Sequence, residues 1–251
     1  MKISESLRNI LALGGCVLAA YLLWDTPLLY PLKLFVVILH EMSHGLAALI
    51  CGGRIVEIKI DPRIGGLCEY LAPPSFFCRV FIASAGYLGS MALGSLILIL
   101  AARTRFDRHV SLVIGIVVIV LTALYVREPF GIVFCLLFGI FMLVAARFLP
   151  GSFNDWLLKF LGMTSCLYAV VDIKEDLIDR SGIGSDADAI ANMLGFPGLS
   201  VAIGIAWILL ALAILVLSFR IAGSGGAQEA AGEDEEEKPA VRVRKIKKQQ
   251  D

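Results

Sequence analysis

Long apolar runs separated by short polar breaks occupy most of this chain, a pattern typical of helices that cross a membrane. The runs cover residues 10–24, 32–51, 76–102, 110–126, 129–148, a stretch that starts at 156, and 201–219. We therefore predict an all-α integral membrane protein, a polytopic helix bundle of about seven spans. We interpret the first run as an uncleaved anchor, since it continues too far to be a signal peptide.

One segment between the second and third runs has a different period. Arg54–Asp61 alternates polar with β-branched apolar residues, which predicts a strand, and residues 67–71 could return as its partner after a turn at 62–66. We expect a small β-hairpin at the interface, beside the second span. Its edge could hold an extended peptide by strand addition. The alternative is an ordinary connector outside the membrane.

Composition supports a bilayer setting. The chain is 58% hydrophobic, only 18% charged, and its mean hydropathy is +0.83. The formal net charge is zero, so no basic field favours a nucleic-acid partner. We predict a membrane domain over residues 1–222 and a disordered charged tail over 223–251. The protein is expected to be multi-pass, in a membrane that the sequence leaves open, or the cell membrane if it is bacterial.

The second run contains the sequence His40-Glu41-Met42-Ser43-His44, with two of the three histidines of the chain. On a helix, positions i and i+4 differ by about 40° in azimuth, so His40 and His44 can bind one metal ion. In the H-E-x-x-H pattern the histidines hold zinc, and the glutamate takes a proton from the attacking water and delivers it to the leaving amine. The alternative is a satisfied polar cluster, or a metal site that has decayed.

A catalytic zinc site has three protein ligands and one open position, so a further ligand is expected. We predict Asp172, which ends an apolar helical stretch, with Asp176 one turn later as its substitute or as a supporting partner. A carboxylate in water at the helix end is the alternative for Asp172. The remaining histidine, His109, is also a candidate third ligand. It lies in a basic loop whose cations oppose a metal ion, so we interpret it as a surface residue. The six cysteines have no C-x-x-C spacing and are interpreted as buried apolar residues.

Small residues recur in the third run. Gly86, Ser90 and Gly94 are spaced four apart, which predicts a helix face that another membrane helix can approach closely. Packing of this face against the helix of His40 would account for it.

These features together resemble the site-2 protease family of intramembrane zinc metallopeptidases, especially its short bacterial and plant branch. The resemblance covers residues 32–102 and, more thinly, 168–176 and Ser185-Asp186-Ala187. It implies zinc on His40 and His44, Glu41 as general base, and a late aspartate as third ligand. The sequence lacks the family's Leu-Asp-Gly motif and has no inserted PDZ-like domain, and Asp172 matches the position of the aspartate in the short branch.

The function that we predict is zinc-dependent hydrolysis of peptide bonds in or near transmembrane segments. The expected cofactor is Zn²⁺, and the expected partners are a membrane-protein substrate and the lipid bilayer, without nucleic acid. The alternative is a non-proteolytic membrane protein that retains the metal site, either a pseudoprotease that binds helices or a metal-handling protein. Substrate identity, orientation and oligomeric state do not follow from the sequence.

Overall fold

The structure, a computed structural model, describes residues 26–175 and 184–223 together with single positions at 15, 18, 22 and 23. The predicted first span at 10–24, the residue Asp176 and the tail that follows residue 223 therefore lie outside the described part of the chain, apart from those single positions. The two-domain division stays a prediction.

The described chain is a bundle of helices with one small sheet. The helices are α1 (Tyr30–Ile50), α2 (Phe76–Arg103), α3 (Asp107–Tyr125), α4 (Pro129–Phe148), α5 (Gly151–Lys174), α6 (Asp186–Met193) and α7 (Ser200–Gly223), with a 3₁₀ turn at Pro197–Leu199. Six helices in the described ranges, all except α6, are long and apolar enough to cross a membrane. The prediction of a multi-pass helical bundle is confirmed.

The sheet is the predicted hairpin. Strands β1 (Arg54–Asp61) and β2 (Gly65–Leu71) pair antiparallel, so that β1 matches the predicted bounds and β2 begins two residues earlier than predicted. The hairpin lies along α1: Ile55 packs against Gly45, and Gly66 packs against Glu41. A substitution that adds a methyl group at either glycine would clash at 2.6 Å. The two glycines thus allow the sheet to approach the helix of the motif.

A specific helix end turns α1 into this hairpin. The amide of Gly53 donates to Ala48 O at 2.8 Å and the amide of Gly52 donates to Leu49 O at 2.9 Å, which is the Schellman pattern. Gly52 adopts a φ of 78°, the left-handed conformation that this motif needs at the position after the cap. The chain therefore reverses at once and returns beside α1.

Among the six spans in the described part of the chain, α1 has the largest share of buried residues, whereas fewer than a quarter of the residues are buried in the most apolar parts of α3 and α7. Phe35 of α1 stacks on Phe138 of α4 with ring centroids 4.9 Å apart. The predicted small-residue face of α2 divides between two neighbours: Gly86 contacts α1, and Gly94 contacts Ser165 of α5. Close packing on the helix of His40 thus accounts for only part of this face.

Candidate metal centre

Three potential ligand atoms from two helices converge on one point. The Nε2 atoms of His40 and His44 are 3.0 Å apart, and Oδ2 of Asp186 lies 3.4 Å from the first and 3.2 Å from the second. The histidines lie one turn apart on α1, as their spacing predicts, and Asp186 is the first residue of α6. This group could hold a metal ion.

The protonation pattern suits a metal ligand. His44 Nδ1 lies 2.7 Å from the carbonyl oxygen of Ile82, so Nδ1 carries the proton and Nε2 keeps its lone pair. Oδ2 of Asp186 is buried and has no hydrogen-bond partner among the described residues, although two imidazole nitrogens lie within 3.4 Å. Such an arrangement is expected when the lone pairs of all three atoms point to a shared centre.

Helix α2 leaves space for the two imidazoles by placing a glycine opposite them. A β-carbon at Gly86 would overlap the Nε2 atoms of both His40 and His44. Beside it, Tyr87 packs its ring edge-on against His40 at 4.7 Å between centroids, and Trp207 of α7 packs against Tyr87 at 5.3 Å. The ring of His40 is thus held from α2, with α7 behind it.

Glu41 lies in the same cavity as the three atoms. Its side chain is buried, with 6% of its surface exposed, and it packs against Gly66 of β2. The backbone of Cys68 in the same strand also interacts with its carboxylate. The hairpin therefore fixes the position of the glutamate relative to the histidines.

The cavity has a volume of about 350 Å³, and most of its exposed wall is polar. Its polar and charged lining side chains come from five elements or their flanks: His40, Glu41, His44, Cys68, Tyr70, Tyr87, Tyr168, Asp172, Ser185 and Asp186. Water and a polar main chain can therefore enter beside the three converging atoms.

Two titratable groups of β2 in this cavity stay protonated near neutral pH. Burial, together with the nearby Glu41 carboxylate, raises the pKa of the Cys68 thiol to about 12. Burial and the nearby carboxylate of Asp186 raise the pKa of the Tyr70 hydroxyl. Cys68 is thus a neutral wall residue of the cavity, in line with the interpretation of the cysteines as apolar residues.

The structure distributes the predicted ligands as follows. His40 and His44 form the group, whereas Asp172 lines the cavity but does not belong to the three converging atoms. The third atom comes from Asp186, which the sequence prediction did not choose. Asp176 lies outside the described residues, and His109 lies at an apolar groove elsewhere.

The position of Asp186 follows from the way in which α6 begins. Ser185 caps the helix: its hydroxyl accepts from the amide of Asp188, and the Asp188 carboxylate accepts from the amide of Ser185. Ala187 and Ile190 then dock α6 in a cluster with Tyr87 and Trp207. The sequence carried a signal for this site, because Ser185-Asp186-Ala187 is part of the resemblance to the site-2 protease family. No local pattern, however, indicated that the start of α6 would face His40.

Comparison with known proteins adds the family. No curated protein and no solved structure matches the chain. The family model described as Peptidase M50B-like matches residues 13–218, which is most of the chain and includes the converging residues His40, His44 and Asp186. The protein belongs to the Peptidase M50B-like family, and therefore to the site-2 protease family.

Proposed function

We propose that the protein is a zinc-dependent intramembrane endopeptidase that hydrolyses peptide bonds in or near transmembrane segments. The observation that carries this proposal is the convergence of His40, His44 and Asp186 on one point, with Glu41 in the same cavity. Membership of the Peptidase M50B-like family favours an intramembrane metallopeptidase.

The spacing of the three atoms supports zinc as the metal. Tetrahedral zinc with bonds of about 2.0–2.2 Å separates its ligand atoms by about 3.3–3.6 Å. The three separations here are 3.0, 3.2 and 3.4 Å. The longest lies within the range for zinc, and the two shorter ones lie just below it. Two imidazoles and one carboxylate are also a donor set of catalytic zinc sites, in which the fourth position stays open.

Asp186 takes the third ligand position in this proposal. Asp172, the ligand predicted from the sequence, lies in the wall of the same cavity, where its carboxylate interacts electrostatically with His40. Its assignment as a ligand stays a prediction, which metal analysis of single variants can test.

Zinc, when bound here, would polarise the scissile carbonyl and lower the pKa of water from about 15.7 towards about 7. Glu41 accepts the proton of the attacking water and delivers it to the leaving amine. The close packing of Gly66 against Glu41 orients its carboxylate for this transfer. A positioned general base of this kind contributes about 10²- to 10⁴-fold to the rate.

The hairpin supplies a site for an extended substrate. Within the described chain, β2 pairs only with β1, and its segment from Gly65 to Cys68 lines the cavity. A free strand edge can pair with one more extended strand. A substrate helix would therefore have to unwind locally before its scissile bond could bind here. Such a strand would lie beside Glu41 and the three metal-binding atoms.

The test combines metal content with cleavage. We expect about one zinc per chain by elemental mass spectrometry in the detergent-purified wild type, and the same content in Glu41→Gln. Membranes from cells that produce the wild type should contain new amino termini inside or beside apolar spans. Membranes from cells that produce Glu41→Gln should lack these termini.

Two outcomes would contradict the proposal. A wild type that binds no stoichiometric zinc after supply of the metal would remove its basis. Zinc binding without any terminus that depends on Glu41 would favour the non-proteolytic alternative, a protein that keeps the metal site for another purpose.

A further inference from the structure

Two half-buried cysteines lie at one end of the contact between α1 and α2. Cys51 directly follows α1, and Cys78 is the third residue of α2. Their thiol groups interact with each other. The other cysteines in the described part of the chain, Cys68, Cys135 and Cys166, are buried. Cys51 and Cys78 are therefore the two described cysteines that stay partly exposed, and they lie side by side.

Two matching rows of residues explain why these thiols meet. Residues at i, i+4 and i+7 share one face of a helix. The rows with this spacing are His44, Ala48 and Cys51 on α1 and the turn after it, and Cys78, Ile82 and Ala85 on α2. Ala48 and Ile82 pack in one apolar cluster, and Cys51 and Ala85 pack against it. The packing of the two faces thus places Cys51 beside the row that contains Cys78.

The same two rows carry a contact of the candidate metal centre. His44 Nδ1 donates to the carbonyl oxygen of Ile82 at 2.7 Å. Ile82 lies about one turn from Cys78, and His44 lies about two turns from Cys51. A covalent bond between the thiols would therefore hold together the two helices whose contact orients the His44 ring.

We propose that Cys51 and Cys78 are a redox modification site, at which they form a reversible disulfide that locks the contact between α1 and α2. A disulfide requires β-carbons that face each other across a short distance. Because the two thiols interact, their side chains already point to the same place. The bond would close a loop that contains the whole β-hairpin, and such a loop restricts the unfolded chain.

The reaction is thiol–disulfide exchange with a small-molecule disulfide such as oxidised glutathione. One cysteine attacks the oxidant as a thiolate, which gives a mixed disulfide and releases one glutathione thiol. The other cysteine then attacks the mixed disulfide and releases the second. Cys51 and Cys78 lose two protons and two electrons and gain one S–S bond, while the oxidant is reduced to two thiols. The hydrogen bond with Cys78, together with burial, raises the pKa of the Cys51 thiol, so we expect exchange over minutes to hours.

The experiment maps the bond by mass spectrometry. The full-length protein in detergent is incubated with oxidised glutathione, its remaining thiols are alkylated after denaturation, and it is digested with trypsin. Cys51 lies in the tryptic peptide 34–54 and Cys78 in 64–79, which also contains Cys68. These peptides should be linked in the wild type and in Cys68→Ala, and a reductant should separate them. Cys78→Ser should contain no link between them.

Two further measurements test the lock. The oxidised wild type should unfold several degrees above the reduced wild type, whereas Cys78→Ser and Cys51→Ser should unfold at one temperature under both conditions. Zinc should pass to a chelator several-fold more slowly from the oxidised wild type than from the reduced one, because the contact between His44 and Ile82 is held. Only this last measurement rests on the proposed function.

Three results would overturn the proposal. The first is a folded wild type in which peptides 34–54 and 64–79 stay separate after oxidation. The second is a link that disappears in Cys68→Ala, which would assign the bond to Cys68. The third is an equal unfolding temperature of linked and reduced protein, which would exclude the lock. A wild type that binds no zinc would contradict the proposed function instead, and the peptide map and the unfolding temperatures would still decide about the disulfide.

Discussion

Two sides of the same helix differ in almost every respect. On one side of α1, His40, Glu41 and His44 line a polar cavity of about 350 Å³, and on another side Phe35, Leu39 and Met42 line an apolar groove of about 320 Å³. The polar side needs accurate placement, because an ionisable group at membrane depth is costly unless it faces a polar cavity or a partner. The apolar side needs only shape. Substitutions should therefore be far more costly on the polar side.

The largest contrast is expected between two aspartates of the polar cavity. Asp186→Asn removes a proposed direct ligand, so zinc affinity should fall by more than the about 10- to 100-fold that supporting partners of a metal site contribute. Asp172→Asn should change zinc affinity by less than that. Competition with a chromophoric chelator measures both.

The control for this comparison is Asp155→Asn, an aspartate of α5 that lies outside both the converging group and the cavity lining. If Asp172→Asn loses zinc and Asp186→Asn retains it, Asp172 is the ligand, and the geometry of the described group has been misinterpreted.

The next effect concerns the space around the imidazoles. Gly86→Ala should lower zinc affinity by roughly 5- to 150-fold, since the methyl group overlaps both Nε2 atoms and overpacking costs about 1–3 kcal/mol. Gly94→Ala is the matched control, because its methyl group meets Ser165 Cβ at 2.5 Å. It should lower the thermal unfolding temperature without loss of zinc. Equal zinc loss in both variants would mean that general destabilisation, and not the site, is responsible.

A smaller effect is expected at the cap of α6. Ser185→Ala removes the hydroxyl that accepts from the Asp188 amide, and such a loss costs about 1 kcal/mol. Because α6 carries Asp186, zinc affinity should fall about fivefold. Ser185→Asp should restore it, since aspartate is an equally good cap. If the zinc affinity of Ser185→Ala is unchanged, the packing of Ala187 and Ile190 is sufficient to position the helix.

The smallest effect is expected on the apolar side of α1. Met42→Leu keeps the volume of a half-buried groove residue, so the free energy of unfolding should change by less than about 1.5 kcal/mol. Zinc content should stay at the wild-type value although Met42 is next to Glu41 in the sequence. A loss of zinc in this variant would break the separation of the two sides.

Much of this molecule follows from local patterns. The apolar runs predicted the spans, with α4 correct at both ends, and the alternation in Arg54–Asp61 predicted β1 exactly. The spacing of His40 and His44 predicted two nitrogens one turn apart. Such features depend on periods of two or 3.6 residues, which can be recognised within one strand or helix without knowledge of the elements that pack against it.

The third member of the site did not follow in this way. Asp172 had the expected surroundings, the end of an apolar helix, whereas Asp186 was named only within the thin Ser185-Asp186-Ala187 part of the resemblance. The choice between them depends on where α6 packs in the bundle. Ala187 and Ile190 of α6 pack against Tyr87 and Trp207, which come from distant parts of the chain. No local pattern contains that information.

By itself, then, the sequence determined that the chain is a membrane bundle with a hairpin and with two histidines placed one helical turn apart, where they can bind one metal ion. Only the tertiary structure decided which carboxylate meets them, how the small residues of α2 divide between α1 and α5, and that His109 lies at an apolar groove. The physical reason is the range of the interactions. Periodicity arises within one element, whereas a site and a groove arise where elements far apart in the chain pack together.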